Sequence, residues 1–175
     1  MTNKTILIET PRLRIRRADL SDLNYILNLQ AKPENLKFIV PFDEKIHTLI
    51  LTSNGTQTMD VVVEERDTNK LVGYFMLNDL NNPHNKVEFM HVIIDKKGCG
   101  YGREALQALL KWSFDVKKFH RVYLDCKTYN EVALHLYESV GFKREGIMRD
   151  VIRVNGVYED LILLSILEND FKSIS

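Results

Sequence analysis

Two periodicities alternate along the chain, and their order predicts a mixed α/β (α+β) fold. Residues 12–17 set Leu13 and Ile15 on one side and arginines on the other, the period-two pattern of a half-buried strand. Over residues 20–29, Leu23, Ile26 and Leu27, followed by Gln30, recur at helical spacing behind Asp19, a residue suited to capping a helix start. Residues 31–57 predict a second short helix. Residues 59–65 and 71–80 are β-rich, and residues 66–70 between them read as a hairpin. After the Asn- and Pro-rich loop 81–85, residues 86–94 are apolar on both faces. Met90, Val92 and Ile94 are expected on one face, Val87, Phe89 and Ile93 on the other, as in a central strand covered from both sides.

That strand runs into Gly98, Gly100 and Gly102 and then a helix whose inward stripe is Ala105, Leu106, Leu109, Leu110 and Phe114. A strand over residues 121–127 follows. The next helix, residues 130–140, turns Ala133, Leu136, Tyr137 and Val140 inward and stops at Gly141. Two strands around Asn155 and Gly156, a strong hairpin turn, close the chain. The predicted architecture is a mostly antiparallel central sheet with one β-loop-α-β crossover and flanking helices, forming a single domain over residues 1–175.

Composition narrows the function. A chain of 175 residues buries roughly 70% of its unfolded surface and needs neither disulfides nor a structural metal. Lys and Arg number 24 against 24 Asp and Glu, so the broadly basic face expected of a nucleic-acid binder is missing. The apolar stretch Ile6, Leu7, Ile8 is too short for a signal-peptide core or a membrane span, and a cytoplasmic location is expected. Cys99 and Cys126 lack a second pair or a neighbouring His at zinc spacing, so free thiols and no metal are expected. A homodimer is compatible with the sequence.

The glycine loop carries the first chemical signal. Its glycines let the backbone approach a ligand, and the helix behind it offers unpaired N–H groups and a positive dipole end. With Lys96, Lys97 and Arg103 around it, a phosphate or pyrophosphate is the natural guest. A Walker loop would need Gly-Lys-Ser/Thr, which is missing. A dinucleotide fingerprint starting at Gly98 would need Gly or Ala where Arg103 stands.

A second motif lies about thirty residues later: Asn130, Ala133, Tyr137, Gly141 and Phe142 in the pattern N-x-x-A-x-x-x-Y-x-x-x-G-F. With Lys97-Gly98-Cys99-Gly100-Tyr101-Gly102 before it, the chain resembles the GNAT family of acetyl-CoA-dependent N-acetyltransferases. Lys97 replaces the Gln or Arg of that family's loop, which keeps a charge but loses the planar fork, and the proline usual between strand and loop is missing. Residues 10–16 and 153–160 resemble the branch that contains ribosomal-protein N-terminal and spermidine acetyltransferases. The resemblance implies a GNAT-like fold with acetyl-CoA as co-substrate and an amine as acceptor. The coenzyme would be held by Val92, Ile93, Ile94, Lys97, Gly98, Cys99, Gly100, Tyr101, Gly102, Arg103, Asn130, Ala133 and Tyr137.

The resemblance also implies direct transfer to the amine, with the strand at Val92–Ile94 splayed from its neighbour and Tyr137 as general acid to the departing thiolate. A phenol with an ordinary pKa near 10 stays protonated at neutral pH and can serve. Asn130 is equally a good helix cap. Glu88, a lone acid in an apolar strand, is the candidate base; a solvated strand end beside Lys86 is the bland alternative. His91 is the next candidate, while His135 and Glu138 are expected to face solvent. A non-catalytic acyl-CoA-binding or sensing domain is the competing function. It would keep the loop and Asn130 without needing Tyr137 or an acid. The acceptor stays open between a polyamine, a protein N-terminus and other amines, with residues 21–57, including Glu34, Asp43 and Glu44, as the expected specificity region.

Overall fold

The computed structural model describes residues 4–173; residues 1–3 and 174–175 lie outside the described residues. Eight strands form one sheet in the order β1-β2-β3-β4-β5-β6-β8-β7. They are β1 (Ile6–Glu9), β2 (Leu13–Arg17), β3 (Met59–Glu65), β4 (Leu71–Asn78), β5 (Lys86–Ile94), β6 (Arg121–Lys127), β7 (Lys143–Val154) and β8 (Val157–Leu167). Every neighbouring pair is antiparallel except β5 and β6, which the expected crossover joins in parallel. The helices are α1 (Leu23–Gln30), α2 (Pro33–Leu36), α3 (Glu44–Thr52), α4 (Tyr101–Lys111), α5 (Glu131–Ser139) and α6 (Glu168–Lys172).

Apolar alternation in the strands builds a core on each side of the sheet. On one side Leu106 and Leu109 of α4 and Leu134 and Tyr137 of α5 join Phe75, Phe89, Leu124 and Leu164. On the other, Ile26 and Leu29 of α1 meet Val62, Tyr74, Met76 and Ile93. Burial of such side chains is worth about 1.5–3 kcal/mol each. Both faces of β5 are covered, as its apolar run predicts.

Several expectations need correction. The apolar stretch Ile6–Ile8 is itself a strand, β1, on the edge of the sheet. The helix expected over residues 20–29 is a 3-10 turn, Leu20–Asp22, followed by α1. Asp19 caps that turn, accepting from the Ser21 N–H at 2.8 Å. Residues 31–57 hold two helices rather than one; Asp43 caps the second, accepting from the Ile46 N–H at 2.9 Å. In α5, Leu134 is buried while Ala133 and Leu136 are only half-buried.

The faces of β5 also differ from strict alternation. Met76 pairs with His91 but Leu77 pairs with Phe89, so Met90 is an extra residue, a β-bulge. Val87 and Phe89 before it and Val92 and Ile94 after it therefore face α4 and α5 together, while Ile93 faces α1.

The arginine side of β2 is not simply solvated either. Arg16 is 1% exposed. Its guanidinium donates to both oxygens of Asp22, at 2.7 and 2.8 Å, and to Glu64 at 2.6 Å. These bonds hold its pKa above the usual arginine value against the opposing cost of burial. The triad ties the 3-10 turn and α1 to the sheet. Removing the cation leaves the buried Asp22 carboxylate without a cation, whereas Glu64 keeps Lys4 at 3.6 Å and Arg14 at 3.5 Å. Arg16→Ala is expected to lower stability by about 3–5 kcal/mol in urea unfolding, while a loss under about 1 kcal/mol would show that the triad holds nothing.

Candidate active site

β5 and β6 stay paired for only three positions: Lys86 with Arg121, Val87 with Val122 and Glu88 with Tyr123. Beyond Glu88 they part, leaving a fork in the middle of the sheet. The Asp95 N–H donates to the Val72 carbonyl on β4 at 2.8 Å. Backbone groups alternate in direction along a strand, so those of Ile93 also face β4 and those of Val92 and Ile94 face the fork. A cavity of about 920 Å³ fills this opening and continues to the glycine loop.

The loop turns its unused donors toward that cavity. Gly100 is the N-cap of α4 with φ of +77°, a left-handed conformation that L side chains resist. Among the described residues none accepts from the N–H groups of Tyr101, Gly102 and Arg103, the orphan donors of the first turn. Arg12 braces the loop from behind: it donates to the Cys99 carbonyl at 2.9 Å and to Glu104 at 2.6 Å. Gly102 is needed for close packing, since a Cβ there would lie 3.3 Å from Leu136 and 3.5 Å from Ile94. These donors, with Lys97 and Arg103 on the cavity wall, suit an anionic ligand of pyrophosphate type.

Some expected contacts are redirected. Lys96 is not free for a phosphate: its ammonium lies 2.5 Å from Glu65. The Tyr101 hydroxyl donates to the same carboxylate at 2.7 Å, so Tyr101 faces the cavity chiefly through its backbone. Donation from Lys96, Tyr101 and Thr68 brings Glu65 down to about 2. Cys99 does not line the cavity, whereas the other expected coenzyme residues do; Ile93 reaches it from the α1 side of the sheet.

Two candidate reaction groups stand on opposite faces of the fork. Tyr137 is buried on the α5 side, and burial first, then the Cys126 and Asp125 charges, raise its pKa well above the ordinary phenol value. Asn130 caps α5, its side chain accepting from the Ala133 N–H at 3.3 Å, and also lines the cavity. Glu88 lies at the vertex of the fork on the α1 side, accepting from Asn78 at 3.1 Å. Burial raises its pKa; the Asn78 bond opposes this, and the Asp125 and Asp79 charges add to it. His91, buried against Phe42 with ring centroids 5.4 Å apart, lines the same wall.

Other lining residues escaped the sequence reading. Phe42 comes from the segment between α2 and α3, and Asp125 from the polar side of β6. Alternation in that strand, with Val122, Leu124 and Cys126 against Tyr123, Asp125 and Lys127, was the available signal for Asp125. Burial pushes the Cys126 thiol up to about 12, which leaves it protonated. Glu34, Asp43 and Glu44 stand outside the large cavity, and Asp43 is occupied as a cap.

A family model described as an acetyltransferase (GNAT) domain matches residues 12–143. The chain belongs to the GNAT acetyltransferase family. It is an N-acetyltransferase that moves acetyl from acetyl-CoA directly to a primary amine. Among relatives of this GNAT enzyme is a spermidine N(1)-acetyltransferase of Vibrio cholerae, 29% identical over 168 residues, covering 91% of this chain and 95% of the relative. A spermidine N(1)-acetyltransferase of Escherichia coli is 25% identical, covering 91% and 88%. The crystal structure of a Vibrio cholerae spermidine N-acetyltransferase in complex with CoA and spermine superposes with a TM-score of 0.82 at 27% identity, covering 93% of this chain and 99% of that one. The mostly antiparallel GNAT fold expected from the sequence is thereby established, with eight strands in its sheet.

The loop gives a direct test of coenzyme binding in this GNAT enzyme. Gly100→Ala forces a side chain into left-handed backbone, with its Cβ 3.4 Å from the Arg12 guanidinium. It is expected to cost about 1–2 kcal/mol of stability and to raise the KM for acetyl-CoA. An unaltered KM for acetyl-CoA would remove the loop from the coenzyme site.

Proposed function

We propose that this chain, one acetyltransferase domain over residues 1–175, acetylates a primary amine of a polyamine such as spermidine. The observation that carries the reading is the fork: it joins a coenzyme-side wall holding Tyr137 to an acceptor-side wall holding Glu88 through the sheet itself. The relatives named as spermidine acetyltransferases, aligned over nearly their whole length, support the polyamine class. Two free thiols support a cytoplasmic location. Among the described residues no helix is long and apolar enough to cross a membrane. The proposal includes a homodimer, for which β7, an edge strand exposing Ile147 and Val151, offers a surface.

Pyrophosphate is held at the N–H groups of residues 98–103, beside Lys97 and Arg103. Pantetheine lies along Val92 and Ile94, between β5 and Asn130 and Ala133 of α5. The amine loses its proton to Glu88, whose raised pKa makes it a stronger base than an ordinary carboxylate. Its nitrogen then bonds to the thioester carbonyl carbon, and a backbone N–H of β5 in the fork stabilises the oxyanion. The C–S bond breaks as the thiolate takes the Tyr137 hydroxyl proton, which burial keeps in place at neutral pH. The second proton leaving the attacking nitrogen balances the one the phenolate regains, so that neutral amide and CoA thiol depart.

Free thiol release from acetyl-CoA, followed with spermidine and with peptides bearing a free N-terminus, tests both acceptor and roles. Spermidine is expected to be the better acceptor; turnover confined to peptides would reject the polyamine reading. Tyr137→Phe should lower kcat by about 10²–10⁴-fold. Wild-type activity should fall as pH drops through the raised pKa of Glu88. Glu88→Gln should lose that limb and most activity, and an unchanged pH profile would exclude Glu88 as base.

A further inference from the structure

The acceptor wall contains one carboxylate that the protein leaves without a partner. Asp125 stands on β6 between Tyr123, whose hydroxyl donates to Asp79 at 2.7 Å, and Lys127, whose ammonium is 2.9 Å from Glu159. Lys127 is 3% exposed and already neutralised, so it does not serve Asp125. Among the described residues no cation and no hydrogen-bond donor reaches the Asp125 carboxylate, although it lines the cavity. It is exposed to that open cavity, and the walls around it desolvate it enough to raise its pKa. A cation arriving in the cavity would find this carboxylate free of any protein partner among the described residues.

The same cavity wall holds a second unmet group. His91 is 6% exposed, and its Nδ1 has no hydrogen-bond partner. Burial, then the charge of His47, takes the ring down to about 4, so it is neutral; a bond to the Val40 backbone opposes the shift. An unpaired carboxylate and an unpaired imidazole nitrogen on one wall suit a guest with more than one nitrogen able to donate hydrogen bonds.

Resting on the polyamine reading, we propose that Asp125 binds the non-reacting ammonium of a polyamine whose reacting amine stands at Glu88. Glu88 is level with Tyr123 in the parallel pairing, and Asp125 lies two residues farther along β6, about 7 Å along a strand. That separation is of the order spanned by nitrogens joined through a propyl or butyl chain. Charge then selects the second nitrogen, while the fork selects the first.

The test compares spermidine with butylamine, which lacks the second nitrogen, in wild type, Asp125→Asn and Asp125→Glu. Wild type should prefer spermidine. Asp125→Asn should reduce that preference by about ten- to a hundredfold, chiefly through the KM for spermidine, while Asp125→Glu should retain it. A wild-type enzyme with no spermidine preference overturns the polyamine reading and this inference with it. A wild-type preference that persists in Asp125→Asn overturns this inference alone. Loss of preference in Asp125→Glu as well would make the effect one of shape, and would overturn recognition by charge.

Discussion

A parallel strand pair that stops after three positions leaves backbone N–H and C=O groups facing one another across a gap too wide to bridge. Inside a sheet such groups are costly unless something else takes them. Here β5 and β6 part at Glu88 and Tyr123, so Val92 and Ile94 keep polar groups directed into a cavity rather than at a neighbouring strand. The missing half of the sheet defines where an extended, amide-rich ligand can lie. The glycine loop and the start of α4 extend the same wall. Tyr137 and Glu88 occupy its two faces because α5 covers one side and the Met90 bulge follows Glu88 on the other.

The surroundings keep this gap from collapsing. Both faces of β5 are packed, by α4 and α5 on one side and by α1 on the other. Arg12 fixes the glycine loop through the Cys99 carbonyl and Glu104. Arg16, at the other side of the sheet, anchors the turn before α1 through Asp22 and Glu64. The overall charge balance of 24 against 24 is therefore composed of local pairings. Lys96 is spent on Glu65 and Lys127 on Glu159, while Asp125, on the cavity wall, has no cation partner among the described residues.

Features set by local backbone demands were legible in the sequence. Gly100 must accept a left-handed turn, Asn130 caps a helix, and Asn155 with Gly156 turns a hairpin; each need is met within a few residues. The central position of β5 was legible from its apolar run. The Met90 bulge was not, because an extra residue is defined only by the register of β4. Arg16 looked like a solvent-facing arginine because its partners, Asp22 and Glu64, come from two other segments. Asp125 went unremarked because its importance lies in an absent partner, which no local pattern reveals. The order of strands near the fork could be anticipated only through the family resemblance.

Amide hydrogen exchange, measured residue by residue with and without acetyl-CoA, reaches the central claim most directly. If the fork is where the coenzyme completes the sheet, Val92, Ile94 and the amides of residues 98–103 should slow markedly on binding, while Ile93, already directed at β4, changes less. Protection confined to the outer helices, with the fork amides exchanging as fast as before, would contradict the account.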